Sequence, residues 1–175
     1  MNVRNMTLSS LMAALLVVCG WIAIPIPPVS FTLQTFGVLT ALGVLGGKTG
    51  TLSVLLYLAM GTVGLPVFSG FQGGAAVLAG PTGGFLWGFL LGGLAYWAAE
   101  GLGRLPAMVL CQLICYGCGT LWFAHWAGVD LSAAALTAVL PYLIPDALKL
   151  WLAVAVSNRL CKQIKLGIRS FLSIF

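Results

Sequence analysis

Charge is what this sequence has least of. Eight Lys or Arg and three Asp or Glu make up only 6% of its 175 residues, while 61% are hydrophobic. A soluble domain carries about 25% charged residues. So few charges cannot clothe a water-facing surface, and the outer surface must face lipid. The net charge of +5 would ordinarily raise nucleic acid as a partner. Here the charges sit at the ends of apolar runs and form no patch, which excludes nucleic acid and favours the bilayer.

Catalytic residues are scarce too. There is one His, and neither H-E-x-x-H nor G-x-S-x-G occurs, so these hydrolase signatures are missing. The segment GVLGGKTG imitates a phosphate-binding loop, but the required first glycine falls at Leu42. Five cysteines, an odd number, exclude a fully paired disulfide framework. Cys115 and Cys118 have C-x-x-C spacing and His125 follows, which leaves a metal or redox site open. Inside an apolar run, such cysteines are ordinarily buried thiols that behave as small hydrophobes. No cofactor is predicted, and the chain does not read as an enzyme.

What is present is apolar sequence, in runs over 7–26, 30–47, 50–66, 82–103, 106–127 and 132–158. At about 20 residues per span, this predicts an all-α integral membrane protein. Six transmembrane helices form one domain over 1–175, with a cytoplasmic tail at 159–175. The first run resembles a signal peptide but is longer than a signal core and lacks a cleavage site, so it reads as a retained helix. Pro and Gly punctuate the breaks, as turns require: IPIPP at 24–28, GGKTG at 46–50, a long segment at 66–84, GLGRLP at 101–106 and AGVDLS at 127–132.

Arg4, Lys48, Arg104, Arg159, Lys162, Lys165 and Arg169 all fall on one side of this six-span topology, and the alternate connections hold no Lys or Arg. The positive-inside rule assigns that side, with both termini, to the cytoplasm. Gly80, Gly84, Gly88 and Gly92 recur every four residues and predict one small face on the fourth helix, where another backbone can approach closely. Ser9 with Ala13, and Ser10 with Ala14, repeat that spacing on the first helix. Most of the six tryptophans lie near run ends. Trp87 and Trp151 lie deep enough to serve as pocket walls or as ordinary packing.

Chemistry concentrates in LPYLIPDALKLWLAV, residues 140–154. Asp146 and Lys149 lie three apart within an apolar run and so share one helical face. A charge near a helix centre costs about 2.5–3.5 kcal/mol on insertion scales. The two could neutralise each other as a structural pair. Yet a buried pair often returns no more than it costs, which favours a role in binding. Pro145 adds freed backbone groups that water or a ligand could satisfy. The long 66–84 segment, with its six glycines, is predicted to fold over a cavity as a lid. Phe31, Thr32 and Gln34 begin the second helix on the same outer side. Together these predict a small-molecule pocket facing outward.

Three stretches, IPIPPVSFTLQTFGVL, GLPVFSGFQGGAAVLAGPTGGFLWGF and LPYLIPDALKLWLA, resemble the BioY family over about residues 6–160. Its members are the biotin-binding S components of energy-coupling factor (ECF) vitamin transporters. The resemblance implies a six-helix S component that binds vitamin on the outer side. It would dock onto a transmembrane T component coupled to two cytoplasmic ATPases, through small residues of the first helix, here Ser9, Ser10, Ala13 and Ala14. The implied ligand is biotin and the implied location the cytoplasmic membrane. The substrate-binding candidates are Asp146, Lys149, Thr82, Gly83, Gly84, Gln34, Phe31, Ser69, Gln72 and Tyr142.

Biotin's ureido ring offers two N–H donors and a carbonyl acceptor. Asp146 can accept from an N–H, and Lys149 can donate to the carbonyl. No Lys or Arg lies between residues 49 and 103 to meet the carboxylate, which leaves Thr82, Ser69, Gln72 and the N–H groups near Gly83 and Gly84. Alternatively Lys149 takes the carboxylate and Asp146 the ring. Other readings are an S component for a different vitamin, an autonomous ion-coupled carrier, and a redox protein using Asp146, His125 and the cysteines.

Overall fold

The computed structural model describes residues 3–26 and 29–172, with side chains as far as residue 163. The chain is mostly helical: α1 (Val3–Trp21), α2 (Gln34–Leu45), α3 (Gly47–Thr62), α4 (Ala75–Ala79), α5 (Gly83–Ala99), α6 (Arg104–Ala127), α7 (Leu131–Ala138) and α8 (Leu143–Leu172). Between α1 and α2 lies an antiparallel hairpin, β1 (Ala23–Ile24) with β2 (Phe31–Thr32), in the register Ala23↔Thr32 and Ile24↔Phe31. Pro27 and Pro28 of the IPIPP break lie outside the described residues.

Among the described residues, four stretches are long and apolar enough to cross a bilayer: Val3–Trp21, Gly83–Leu102, Arg104–Ala127 and Leu131–Gln163. The second and third runs form shorter helices than expected. At 1.5 Å per residue, the 12 residues of α2 reach about 18 Å, against a hydrocarbon core of about 30 Å. Phe31 and Thr32 are strand rather than helix. At the other end of α2, Gly46 turns the chain at φ 79°, where a side chain would be strained.

The last run is also broken. A 3₁₀ turn at Leu140–Tyr142 separates α7 from α8, because Pro141 has no N–H to give the Thr137 carbonyl and its ring would clash there in a continued α-helix. Pro145 then falls in the first turn of α8, where the N–H it lacks would have had no helical partner. It frees no extra backbone group, contrary to the expectation above. Instead, the early start places Asp146 in the first turn of α8, where the positive end of the helix dipole favours a carboxylate. The helix continues to Leu172, so most of the expected tail is a continuation of α8; residues 173–175 lie outside the described residues.

The main core joins α1, α2, α3, α5 and α6 around Leu16, Leu39, Leu42, Val54, Tyr57 and Met108. The tightest seam runs between α5 and α6. A Cβ on Gly84 would stand 2.7 Å from the Cys118 carbonyl, on Gly88 2.9 Å from Cys115 Cα, and on Gly92 2.8 Å from the Cys111 carbonyl. Three of the four predicted glycines therefore do form a close-approach face. Gly80 lies outside the helix, and its carbonyl accepts from Trp122 Nε1 at 2.9 Å. Trp87 and Trp151 are exposed on the outside of the bundle.

One end of the bundle carries Lys48, Glu100 and Arg104. There the Gly47 N–H donates to Glu100 Oε2 at 3.2 Å and Arg104 bonds Asn158. The opposite end carries the hairpin, the 66–82 segment and α7. The latter packs Ala134 and Ala138 with Val29, Phe123 and Tyr142 in a smaller cluster.

Candidate substrate-binding site

A partly enclosed cavity lies at the hairpin end, holding about 660 Å³ of open space including its mouth. Its apolar walls include Phe68, Val77, Phe85, Leu86 and Phe89. Its polar groups converge from separate elements: Thr32 from β2, Gln34 from α2, Gln112 and Tyr116 from α6, and Asp146 and Lys149 from α8.

Asp146 and Lys149 are 6% and 5% exposed. Lys149 Nζ lies 2.7 Å from Asp146 Oδ1 and donates to the Thr32 carbonyl, also at 2.7 Å. It stands 3.8 Å from the centroid of the Phe31 ring, a cation–π contact. Phe31 in turn stacks on Tyr142 at 6.4 Å between centroids. The second oxygen of Asp146 accepts from the Tyr116 hydroxyl at 2.8 Å, with Gln112 Nε2 at 3.5 Å. The carboxylate thus has a cation on one oxygen and neutral donors on the other. That is how a buried charge avoids the cost of standing unpaired. The pair is closed on itself, yet both residues line the cavity.

Three further bonds tie the cavity rim to the bundle. Tyr142 hydroxyl donates to the Val29 carbonyl, in the loop of the hairpin. Tyr57 hydroxyl accepts from Gln34 Nε2 and donates to the Val67 carbonyl at 3.2 Å, at the root of the 66–82 segment. Gly20 leaves room for this junction, since a Cβ there would lie 2.9 Å from the Val67 oxygen.

A protein-family model described as the BioY family matches residues 1–166. The chain belongs to the BioY family. The biotin transporter BioY of Thermotoga maritima is 38% identical to it, over 91% of this chain and 96% of that protein. The probable biotin transporter BioY of Pyrococcus horikoshii is also 38% identical, over 91% and 98%. Among solved structures, the S-component for biotin from an ECF-type ABC transporter superposes with a TM-score of 0.85. It is 30% identical, over 91% of this chain and 92% of that one.

In this BioY-family chain the cavity gathers Asp146, Lys149, Gln34, Phe31, Ser69, Thr82 and Tyr142 from the predicted candidates. Gln72, Gly83 and Gly84 do not line it. Gln72 is exposed beyond its bridge to Phe68. Gly83 is packed against the Leu78 carbonyl and Gly84 against Trp122, so these glycines serve helix packing. On α1 the small residues divide. Ser9 and Ala13 point inward, Ser9 Oγ bonding the Thr49 carbonyl at 3.2 Å, while Ser10 and Ala14 are exposed. The first two are buried within the bundle.

Gln112 and Tyr116 were missed by sequence reasoning, which read CQLICYGC for its cysteines. The available signal was two polar side chains one helical turn apart in an apolar run, the same logic that singled out Asp146 and Lys149. Of the cysteines, Cys115 lines the cavity, Cys111 is buried in the α5–α6 seam and Cys118 borders a shallow outer groove together with the exposed His125.

Proposed function

We propose that this protein binds biotin in the cavity beside Asp146 and Lys149 and is the substrate-specific subunit of an ATP-driven ECF vitamin uptake system. Family membership and relatives that are themselves biotin transporters support the ligand. The observation that carries the reading is a buried pair of opposite charges opening on an otherwise apolar cavity. Such a pair presents an acceptor and a donor at nearly zero net charge. That suits the neutral ureido head, with Asp146 accepting from an N–H and Lys149 donating to the carbonyl. A carboxylate brought to Lys149 would meet the Asp146 charge as well. The tail carboxylate is left to hydroxyls such as those of Ser69 and Thr82, and the thioether ring to Phe85, Leu86 and Phe89.

In this reading the six longer helices cross the cytoplasmic membrane as a single domain of the S-component type. The ends bearing Arg4, Lys48, Arg104 and Arg159 lie in the cytoplasm with both termini, and the cavity faces outward. A transmembrane T component and two ATPase subunits supply the energy, docking on the exposed side of α1 that includes Ser10 and Ala14.

Detergent-purified protein titrated with a panel of vitamins should bind biotin alone, and Asp146→Asn should lose binding while keeping its elution profile. Preference for another vitamin would overturn the ligand assignment. Uptake by cells making this chain without partner subunits would overturn the dependence on them. Ser10→Trp together with Ala14→Trp should keep biotin binding but abolish partner-dependent uptake.

A further inference from the structure

Four buried side-chain polar atoms lack a hydrogen-bond partner among the described residues: Thr40 Oγ1, Thr51 Oγ1, Ser157 Oγ and Gln112 Oε1. Only Gln112 lines the cavity. Buried acceptors are rarely left unpaired, and each exception calls for a reason. The orientation of this amide is set by its neighbour. A carboxylate has no proton to give, so the amide NH₂ must be the end that faces Asp146 Oδ2, and the carbonyl end is turned away from it. Gln112 is 8% exposed, so its carbonyl has already lost bulk water. Asp146, by contrast, already accepts from Lys149 and Tyr116, with Gln112 Nε2 beside them. Three donors leave the carboxylate about one of its four lone-pair positions, on Oδ1, so the site offers two separate acceptors: that position and the unused Gln112 Oε1.

We propose that Gln112 is a specificity-determining residue whose Oε1 accepts one N–H of the ligand's cyclic urea, the other N–H going to Asp146. This rests on the biotin reading above and extends it. A site with two separate acceptors reads both nitrogens as donors and not merely the shape of the bicycle. A ligand lacking one N–H would leave a buried carbonyl unpaired. The discrimination from one such loss is roughly five- to 150-fold.

The test is titration of wild-type protein and Gln112→Met with biotin and with the two cyclic-carbamate analogues, each having one ring N–H replaced by oxygen. Both analogues should bind wild type more weakly than biotin. Gln112→Met should bind biotin roughly five- to 150-fold more weakly, and for one of the two isomers the penalty relative to biotin should largely vanish in the variant. If Gln112→Met bound biotin as wild type does, or both isomers kept their full penalties in it, the assignment would be wrong. Should the variant not fold, wild type decides alone, because a carbamate isomer bound as tightly as biotin means that only one N–H is read. Wild-type protein that fails to bind biotin at all overturns the underlying function. Normal wild-type binding with an unaffected variant overturns only the role of Gln112.

Discussion

The ammonium of Lys149 lies 2.7 Å from the carbonyl oxygen of Thr32, 117 residues earlier in the chain. One side chain thus closes an ion pair with Asp146 and fastens the foot of the hairpin to α8. The cavity's charged floor and its rim are held by the same nitrogen.

Removing either charge alone should therefore cost stability as well as binding. Lys149→Met leaves a buried carboxylate without its cation, a loss of about 3–5 kcal/mol. The double variant Asp146→Leu/Lys149→Met leaves no buried charge and should recover most of that loss. It should not recover biotin binding. Thermal unfolding in detergent and calorimetric titration separate the two effects. Recovery of both together would mean that the pair is purely structural.

Tyr116→Phe deletes the hydroxyl that donates to Asp146 Oδ2 at 2.8 Å. A hydrogen bond to a charged group contributes about 1.5–3 kcal/mol. Biotin affinity should fall at least tenfold with little change in secondary structure, measured by titration and circular dichroism.

Tyr57→Phe breaks the junction of Gln34, Tyr57 and the Val67 carbonyl while keeping the buried ring. The 66–82 segment should loosen at its root. Biotin should dissociate several-fold faster in a chase experiment, and amide exchange should rise around Val67–Gln72. Exchange unchanged in that stretch would show that the segment is held by other contacts.

The α5–α6 seam predicts opposite outcomes for two glycines. Gly88→Leu would drive a side chain into Cys115, where a Cβ already stands 2.9 Å from its Cα. Overpacking of this kind costs about 1–3 kcal/mol. Because Gln112 and Cys115 line the cavity from α6, affinity should fall too. Gly117→Ala meets nothing within 4 Å and lies within α6, where alanine is preferred to glycine by up to about 1 kcal/mol. Its unfolding temperature in detergent should stay level or rise.

Class and chemistry were legible in the residues themselves. So few charges exclude a water-facing surface wherever the chain folds. An Asp and a Lys three apart share a helical face by local geometry alone. The glycine repeat could be read because close approach of backbones depends on residue size, which sequence states directly. Prolines could be read as breaks, but whether Pro145 kinked a helix or opened one depended on where α8 began.

What only the tertiary structure decided is which way each side chain faces. In water, polarity separates the outside of a helix from its inside. In lipid both sides are apolar, so the periodicity that would point inward is missing. That is why Ser9 and Ser10, adjacent and alike, could not be told apart until α3 buried one of them. It is also why Gln112 and Tyr116 stayed hidden among cysteines until α6 and α8 brought them beside Asp146. The charges needed a partner wherever they lay; the packing of the helices chose which groups would stand around them.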